Sequence, residues 1–566
     1  MLSIRKIGII GRTYRHLNRY RQIITILFKY GFGDMVGLLK IDQYLEIGLQ
    51  MISKKRHERL EKLSRPERIR LAFEELGPTF VKLGQILSTR PDLVSVDLIR
   101  EFSKLQDKVP PFAFSDVREI IETELGLPPE EIFESFDKTP LASASIGQVH
   151  VALLKNGEKA AVKVQRPGIK KIITVDLEII LHLATLMERH IEEMALHRPV
   201  KIVEEFAKTL EKEIDYTIEA TNIERFAGNF LSDSTVYIPK VYQEVSTSRV
   251  LTMEYIDGIK ISEVEKIEAA GLDRKVLTVR GADLILKQVF DFGFFHADPH
   301  PGNIFVLPDN VICLLDFGMT GTVDRQTREN FVDLLDSVAR REDPAMAADA
   351  LLRIAIRDED PDIRLLEKDI SEFMGQYLYK PLKEIDMGEL LHHMLELTFR
   401  HRLRIPPDIF LMMKAFSTTE GIGLMLDPDF DMTTRATPFI KRVKAARFHP
   451  KRITGDIIRF ISEHLQFVQD FPKELLEITR MIRQQKLNFR FEHHGLEKML
   501  STHDQISNRI SFSIVIAALI VGSALIVLAK TPPLFYGISV IGIVGFLAAA
   551  MMGFWLLVAI LRKGRL

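Results

Sequence analysis

The chain has 566 residues, with 76 Lys+Arg against 77 Asp+Glu and a net charge of −1. It is therefore longer than one ordinary domain and lacks the positive excess of a nucleic-acid binder, so no nucleic-acid partner is expected. The single cysteine, Cys313, excludes a disulfide framework and fits a reducing compartment.

Residues 1–75 read as a basic helical extension. Arg5, Lys6, Arg12, Arg15, Arg19 and Arg21 interrupt the first thirty residues, so no secretory signal is expected there. Ile9, Ile10, Leu17, Ile23, Ile24, Ile26, Leu27 and Phe28 lie between the charges. Two readings stay open: helices lying on an anionic membrane surface, and ordinary solvated helical faces. A second helical segment, 76–128, starts at Gly77-Pro78, where the missing N–H of proline is harmless. Lys82 and Gln85 share one face of that helix. Gly84 between them costs about 1 kcal/mol relative to Ala, so a close neighbour is expected there. Pro110-Pro111 ends the unit, and a further helix is expected from Phe114 to about Leu125.

Strand-like patterning begins after Pro128-Pro129 and defines a segment 129–258. Residues 141–150 read LASASIGQVH. Ala142, Ala144, Gly147 and Val149 occupy the places of G-x-G-x-x-G-x-V, the nucleotide loop of protein kinases, and Ser143 and Ser145 complete the turn. Its backbone amides remain available to phosphates. Ala160 to Val164 reads as a strand with Lys163 at its centre, and a buried lysine needs a partner charge. The next long helical region offers Glu213, Asp215 and Glu219. Glu219 is assigned to Lys163, and Lys82 is a candidate to meet Glu213 and Asp215. RVLTMEYIDG, 249–258, reads as a buried strand running into a connector, where Glu254, Tyr255 and Ile256 would supply backbone contacts to adenine. Val276 to Phe290 reads as an amphipathic helix feeding the next loop.

That loop opens a segment 259–505 and holds the most specific signal: HADPHPGN at 296–303, then a strand-like run, then Asp316-Phe317-Gly318. Asp298, Asn303 and Asp316 stand in the order of the kinase set H-R-D-L-x-x-x-N and D-F-G. In that chemistry one carboxylate meets the attacking oxygen, while an amide and a second carboxylate hold magnesium. Asp298 and Lys163 are accordingly the catalytic candidates, and Asn303 and Asp316 the magnesium ligands. Asp291-Phe292-Gly293 repeats the tripeptide upstream of the loop, where it cannot serve that role. A metal site from His296 and His300 is disfavoured because Pro299 and Pro301 break any helix that would align them.

Helices are expected from 325 to about 505, broken at Pro361, Pro406-Pro407, Pro428, Pro450 and Pro472. Lys441, Arg442, Lys444, Arg447, Lys451 and Arg452 read equally as a lipid-facing cluster and as a solvated basic face. The segment 506–566 holds uncharged runs from Ile510 to Ala529 and from Thr531 to Leu561. Each is long enough to cross a bilayer core of about 30 Å. The basic flanks place both ends in the cytoplasm. Gly522, Gly542, Gly545 and Gly553 would permit close helix contact, and a homodimer is one expectation from them.

Together these motifs resemble the UbiB family of atypical kinase-like proteins. The resemblance rests on Lys82-x-Gly84-Gln85, the Ala-rich loop, Lys163, Glu213-x-Asp215 with Glu219, the HADPHPGN loop and Asp316-Phe317-Gly318. It implies an α+β, protein-kinase-like two-lobed fold with a helical N-terminal extension and a C-terminal transmembrane hairpin. It also implies that Lys82 and Gln85 lie over the active site, with Lys82 meeting Glu213 and Asp215. ATP or ADP with Mg2+ would be bound, and ATPase activity would support ubiquinone biosynthesis at the inner, cytoplasmic membrane with the catalytic domain in the cytoplasm. Partners implied are membrane lipids or prenylated quinone precursors and the enzymes of that pathway. Two alternatives remain: a nucleotide-switched scaffold that presents lipid without turnover, and a kinase of a protein or small molecule.

Overall fold

Alternation within one short strand sets the geometry of the cleft. In β4 (Lys159–Gln165), Val162 and Val164 are fully buried on one face. There they pack with Val117 and Ile121 of the helix Phe114–Leu125. Side chains of a strand alternate between faces, so Lys163 points the opposite way, onto the face where Ala161 packs with Tyr216 and Ala220.

The structure, a computed structural model, describes residues 14–33, 63–91, 93–105, 109–190, 199–339, 343–357, 360–377, 387–447, 496–536 and 538–563, together with residues 454, 471, 476 and 483. Expectations for 1–13 and 34–62, for Lys451 and Arg452, and for breaks at Pro450 and Pro472 lie outside these residues. The chain divides into two units, 1–454 and 455–566.

In the first unit, α1 (Tyr14–Lys29) packs on α2 (Arg65–Leu76), α3 (Pro78–Leu87) and, further along the chain, the helix Ile169–His190. Ile23, Ile24 and Ile26 of α1 are buried in that core. Arg19 clamps it, donating to buried Asp176 at 2.6 and 2.9 Å and to the Leu76 carbonyl at 2.7 Å. The described part of the extension thus buries its apolar face inside the protein, which corrects the membrane-surface reading for these residues. Ser64 and Glu67 form a reciprocal capping box at the start of α2. The close neighbour expected at Gly84 is Leu105, which an added methyl group would overlap, with Phe73 and Phe102 beside it.

A five-stranded sheet follows, β1 (Phe133–Phe136), β2 (Ala142–Ser143), β3 (Gly147–Leu154), β4 and β6 (Val250–Glu254), ordered β1-β3-β4-β6 with β2 paired to β3. Lys163 lies between Val149 on β3 and Leu251 on β6. A second sheet orders β5 (Val236–Tyr237), β10 (Val311–Leu314), β9 (Ile304–Leu307) and β7 (Ile259–Lys260). Asp309 and Asn310 both take positive φ at the β9–β10 turn, as a tight hairpin requires. The expected amphipathic helix is instead buried on several sides. It runs from Arg274 to Leu286 and continues into a π turn, Lys287–Phe292.

Beyond the second sheet, helices Arg325–Ala339, Pro344–Ile354, Ile363–Tyr377, Met387–Arg400, Pro407–Leu426 and Met432–Arg447 pack around the lower lobe. Among the described residues Pro407–Leu426 is one of three helices long and apolar enough to cross a membrane, yet most of it is buried in the protein, so it serves as a core helix. The basic cluster is tied to acids of this lobe. Arg442 meets Asp291 at 3.3 Å, Arg447 meets Asp333 at 2.7 Å, and Lys444 pairs with Asp336. These three are therefore not a free lipid-facing patch.

In the second unit, Ile506–Leu528 and Val540–Leu557 are long and apolar enough to cross a membrane, and they leave nearly all of their side chains outside the protein interior. Gly542 and Gly545 lie against Val527 and Ser523 of the opposite helix, so they serve packing within the hairpin.

Candidate functional site

The upper wall is built by Lys163 and the helix Tyr216–Asn229. Asp215 caps this helix, accepting the Thr217 amide at 3.0 Å. Tyr216, Glu219, Ala220, Ile223 and Phe226 then fall on one buried stripe. Glu219, on that stripe, accepts from Lys163 Nζ at 2.8 and 3.0 Å. The same ammonium is 4.0 Å from Asp316 and 5.1 Å from the Tyr216 ring. Burial alone would lower the Lys163 pKa, but Glu219 and then Asp316 outweigh it, and the lysine is held protonated. Burial raises the Glu219 carboxyl above its usual range, with Lys163 acting against it. The two carboxylate oxygens of Glu219 form a bidentate contact with a protonated lysine. Lys163 holds the Asp316 carboxyl below its usual range, although the 55% exposure of that side chain screens the effect.

The lower wall is organised by His296. Its Nδ1 accepts the Asp298 amide at 3.2 Å and its Nε2 donates to the Asp316 carbonyl at 2.8 Å. One imidazole thus ties the two acidic segments together. Burial lowers its pKa, although Asp316 and Asp298 act against this, so the neutral form with one donor and one acceptor is favoured. Gln288 holds the His296 backbone at 2.9 Å. Asp316 adopts φ +58°, a strained region for a residue with a side chain, and accepts the Gly318 amide at 3.2 Å. Asn222 donates to the Phe317 carbonyl at 3.0 Å, and the Phe317 ring is fully buried beside Phe226 and His296. The Leu315 amide donates to the Asn303 carbonyl at 2.8 Å, holding that loop against the Asp316 turn.

The Ala-rich loop closes tightly, with the Ala144 amide donating to Gly147 at 2.8 Å. Arg166 braces it from outside through the Ala144 carbonyl at 3.3 Å. At Gly147 an added methyl would overlap the Tyr216 hydroxyl and come 2.6 Å from the Val164 carbonyl, so only glycine fits. Among the described residues the buried hydroxyls of Ser143 and of Tyr216 find no hydrogen-bond partner, and Ser145 is buried in the same turn as Ser143. At the connector, the Tyr255 amide already donates to Lys159 at 3.0 Å and the Glu254 amide to Lys240 at 2.8 Å. The Glu254 carboxylate accepts the Tyr237 hydroxyl. The expected adenine contacts at 254–256 therefore narrow to the Ile256 amide and the carbonyls.

Lys82 of α3 pairs with Glu213, and it adds to the field that lowers Asp316. Asp215, expected beside Glu213 as its other partner, caps the helix Tyr216–Asn229, with Oδ1 accepting the Thr217 amide at 3.0 Å and the Thr217 hydroxyl at 2.6 Å. Gln85 does not enter the cleft through its amide, which donates to the Leu105 carbonyl at 3.3 Å. The residue that sequence reasoning missed is Lys414, which reaches Asp298 at 3.3 Å from the helix Pro407–Leu426. Nothing local marks it, since 116 residues separate the pair.

Among the described residues no group of three or more His, Cys, Asp or Glu could hold an ion unaided. Asn303 and Asp316 do offer hard oxygens, which suit magnesium when phosphates and waters complete its shell.

A family model described as the ABC1 atypical kinase-like domain matches residues 104–350. The UbiB helical domain matches 370–431, and the ABC1/UbiB kinase-like C-terminal domain matches 494–562. A probable protein kinase UbiB of Aeromonas salmonicida is 36% identical over 84% of this chain and 88% of its own length. One from Shewanella pealeana is 33% identical over 94% and 96%. An uncharacterized Clostridium pasteurianum protein from the hydrogenase 1 5′ region is 32% identical over 97% and 99%.

Proposed function

We propose, from the premise that this chain belongs to the ABC1/UbiB family of atypical kinase-like proteins, that it is a magnesium-dependent ATPase or kinase supporting ubiquinone biosynthesis. The observation that carries the reading is Lys163, whose ammonium meets Glu219 and stands 4.0 Å from Asp316. Lys163 positions the phosphates and Glu219 orients Lys163. The Ala-rich loop, with the Ser143 hydroxyl and the neighbouring Tyr216 hydroxyl that find no partner among the described residues, receives phosphate oxygens. Asn303 and Asp316 would hold magnesium, which when bound neutralises charge on the phosphates. Asp298 orients the attacking water and takes its proton. The new bond forms from water oxygen to the γ-phosphorus, the bond to the bridging oxygen breaks, and ADP leaves with the electron pair. The hairpin of the second unit anchors the chain in the cytoplasmic membrane with both ends inside.

A second reading, a nucleotide-switched scaffold, is favoured by the Lys82–Glu213 pair, which fixes α3 at the acidic end of the cleft. One experiment separates the two. Cells lacking the protein are complemented with the intact chain or with Asp316→Asn, and their quinones are profiled. A turnover role predicts ubiquinone loss that Asp316→Asn does not restore. Restoration by a variant that binds ATP but cannot turn it over supports the scaffold.

A further inference from the structure

The proposed transfer loop carries no cation of its own. Between Asp298 and Asn303 the sequence is Pro-His-Pro-Gly, and His300 is its one titratable residue. His300 Nδ1 accepts the Gly302 amide at 2.9 Å, capping the short turn Pro301–Asn303. That ring is used to shape the loop. The positive charge beside Asp298 arrives from elsewhere, as Lys414 Nζ at 3.3 Å from Oδ1.

Three observations set this contact apart from an ordinary surface pair. First, the helix that delivers it is a core helix, with Met412, Met413, Ala415 and Phe416 all buried around Lys414. A lysine there is tolerable only if its stem lies along apolar surface while its head finds charge or water. Second, Lys414 is the sole cation among the twenty residues of that helix. Third, the lysine and Asp298 side chains are 31% and 37% exposed, so the pair opens toward solvent where an incoming ligand can reach it. The cleft's other two lysines are paired with acids from one short stretch, Lys163 with Glu219 and Lys82 with Glu213.

We propose that Lys414 is a catalytic residue that meets the terminal phosphoryl group of ATP, so that the helical region outside the two sheets completes the transfer site. This rests on the reading of the cleft as an ATP site. Before nucleotide binds, the ammonium is parked on Asp298. When a triphosphate arrives, the ammonium sits between Asp298 and the γ-phosphate oxygens and neutralises charge on both. Asp298 takes the proton of the attacking water, the bond to the bridging oxygen breaks, ADP departs with the electron pair, and Lys414 makes and breaks no covalent bond. ADP lacks the terminal phosphoryl group that Lys414 is assigned to meet, so this residue separates ATP from ADP.

The test uses the full-length protein in detergent, with magnesium and either ADP or a non-hydrolysable ATP analogue, by calorimetry, alongside steady-state turnover. Lys414→Met is expected to weaken the triphosphate analogue about tenfold or more, leave ADP within about twofold, and lower kcat by at least about tenfold. Lys414→Arg is expected to recover part of both losses. Asp298→Asn, which keeps the lysine, is expected to abolish turnover yet retain the preference for the triphosphate, and it stands as the second arm should Lys414→Met fail to fold. Equal weakening of both nucleotides by Lys414→Met overturns the proposal. So does unchanged affinity with unchanged kcat, or loss of the triphosphate preference in Asp298→Asn. An intact protein that binds neither nucleotide refutes the ATP-site reading itself, a distinct outcome from failure of Lys414 alone.

Discussion

The chain contains the same tripeptide twice, and the two copies differ in everything except their letters. Asp291-Phe292-Gly293 closes the π turn, with its ring 37% exposed and Asp291 paired to Arg442 on the surface. Its left-handed residue is the glycine, at φ +65°. In Asp316-Phe317-Gly318 the ring is fully buried, the left-handed residue is the aspartate at φ +58°, and its carboxylate stands near Lys163. In the first copy glycine absorbs the turn at no steric cost. In the second, a residue with a side chain is held in strain by Phe317 packing, Asn222 and His296. The chemistry belongs to what converges on the tripeptide.

This contrast can be broken most sharply by paired substitutions. Asp316→Asn is expected to lower magnesium-dependent ATP turnover by at least about a hundredfold, whereas Asp291→Asn leaves it unchanged. Lys163→Met would leave the Glu219 carboxylate buried without its cation, a loss of about 3 kcal/mol in denaturant unfolding that the additional change Glu219→Gln should largely restore. No such restoration would mean that Lys163 acts through packing. Gly293→Ala places a methyl 2.6 Å from the Val323 carbonyl at positive φ, so about 2 kcal/mol of destabilisation is expected. Gly318→Ala meets the Asp316 carboxylate at 3.2 Å and should cost less stability than Gly293→Ala in the same melts.

Acid sensitivity comes next in size. Burial lowers the pKa of His296 and of His150, which is held neutral between Gln148 and the Asp137 carbonyl. In the unfolded chain both titrate near about 6.5. Below that pH the unfolded state binds more protons, so stability should fall on acidification, by up to about 1.4 kcal/mol per pH unit for each group. A midpoint of thermal unfolding that rises from pH 7 to 5.5 would contradict this. The smallest effect is reserved for the first tripeptide: Asp291→Asn removes a partly exposed ion pair and should change stability by less than about 1 kcal/mol.

Much of the cleft is legible in the sequence because its signals are local. Alternation in 160–164 aims Lys163, helical spacing from Tyr216 places Glu219 on a buried stripe, and the ordered triple Asp298, Asn303, Asp316 fixes two adjoining turns. What escapes is decided by tertiary contact. Asp215 reads as a charge partner for Lys82, and its role as the cap of the helix Tyr216–Asn229 is seen only in the fold. The cluster at 441–447 reads equally as lipid-facing and as a solvated basic face, and three of its cations pair with Asp291, Asp333 and Asp336. Pro407–Leu426 has the composition of a membrane span and lies in the core. Lys414 is one lysine in that helix, and only the fold brings it to Asp298. Gly84 is intermediate: its cost announces a close neighbour without naming Leu105.

The most direct measurement is a side-by-side assay of magnesium-dependent ATP turnover by the intact full-length chain, Asp316→Asn and Asp291→Asn, each first shown to unfold at the same temperature. The account predicts full turnover in the first and third and essentially none in the second. Equal turnover in all three, or loss in Asp291→Asn with retention in Asp316→Asn, would contradict it.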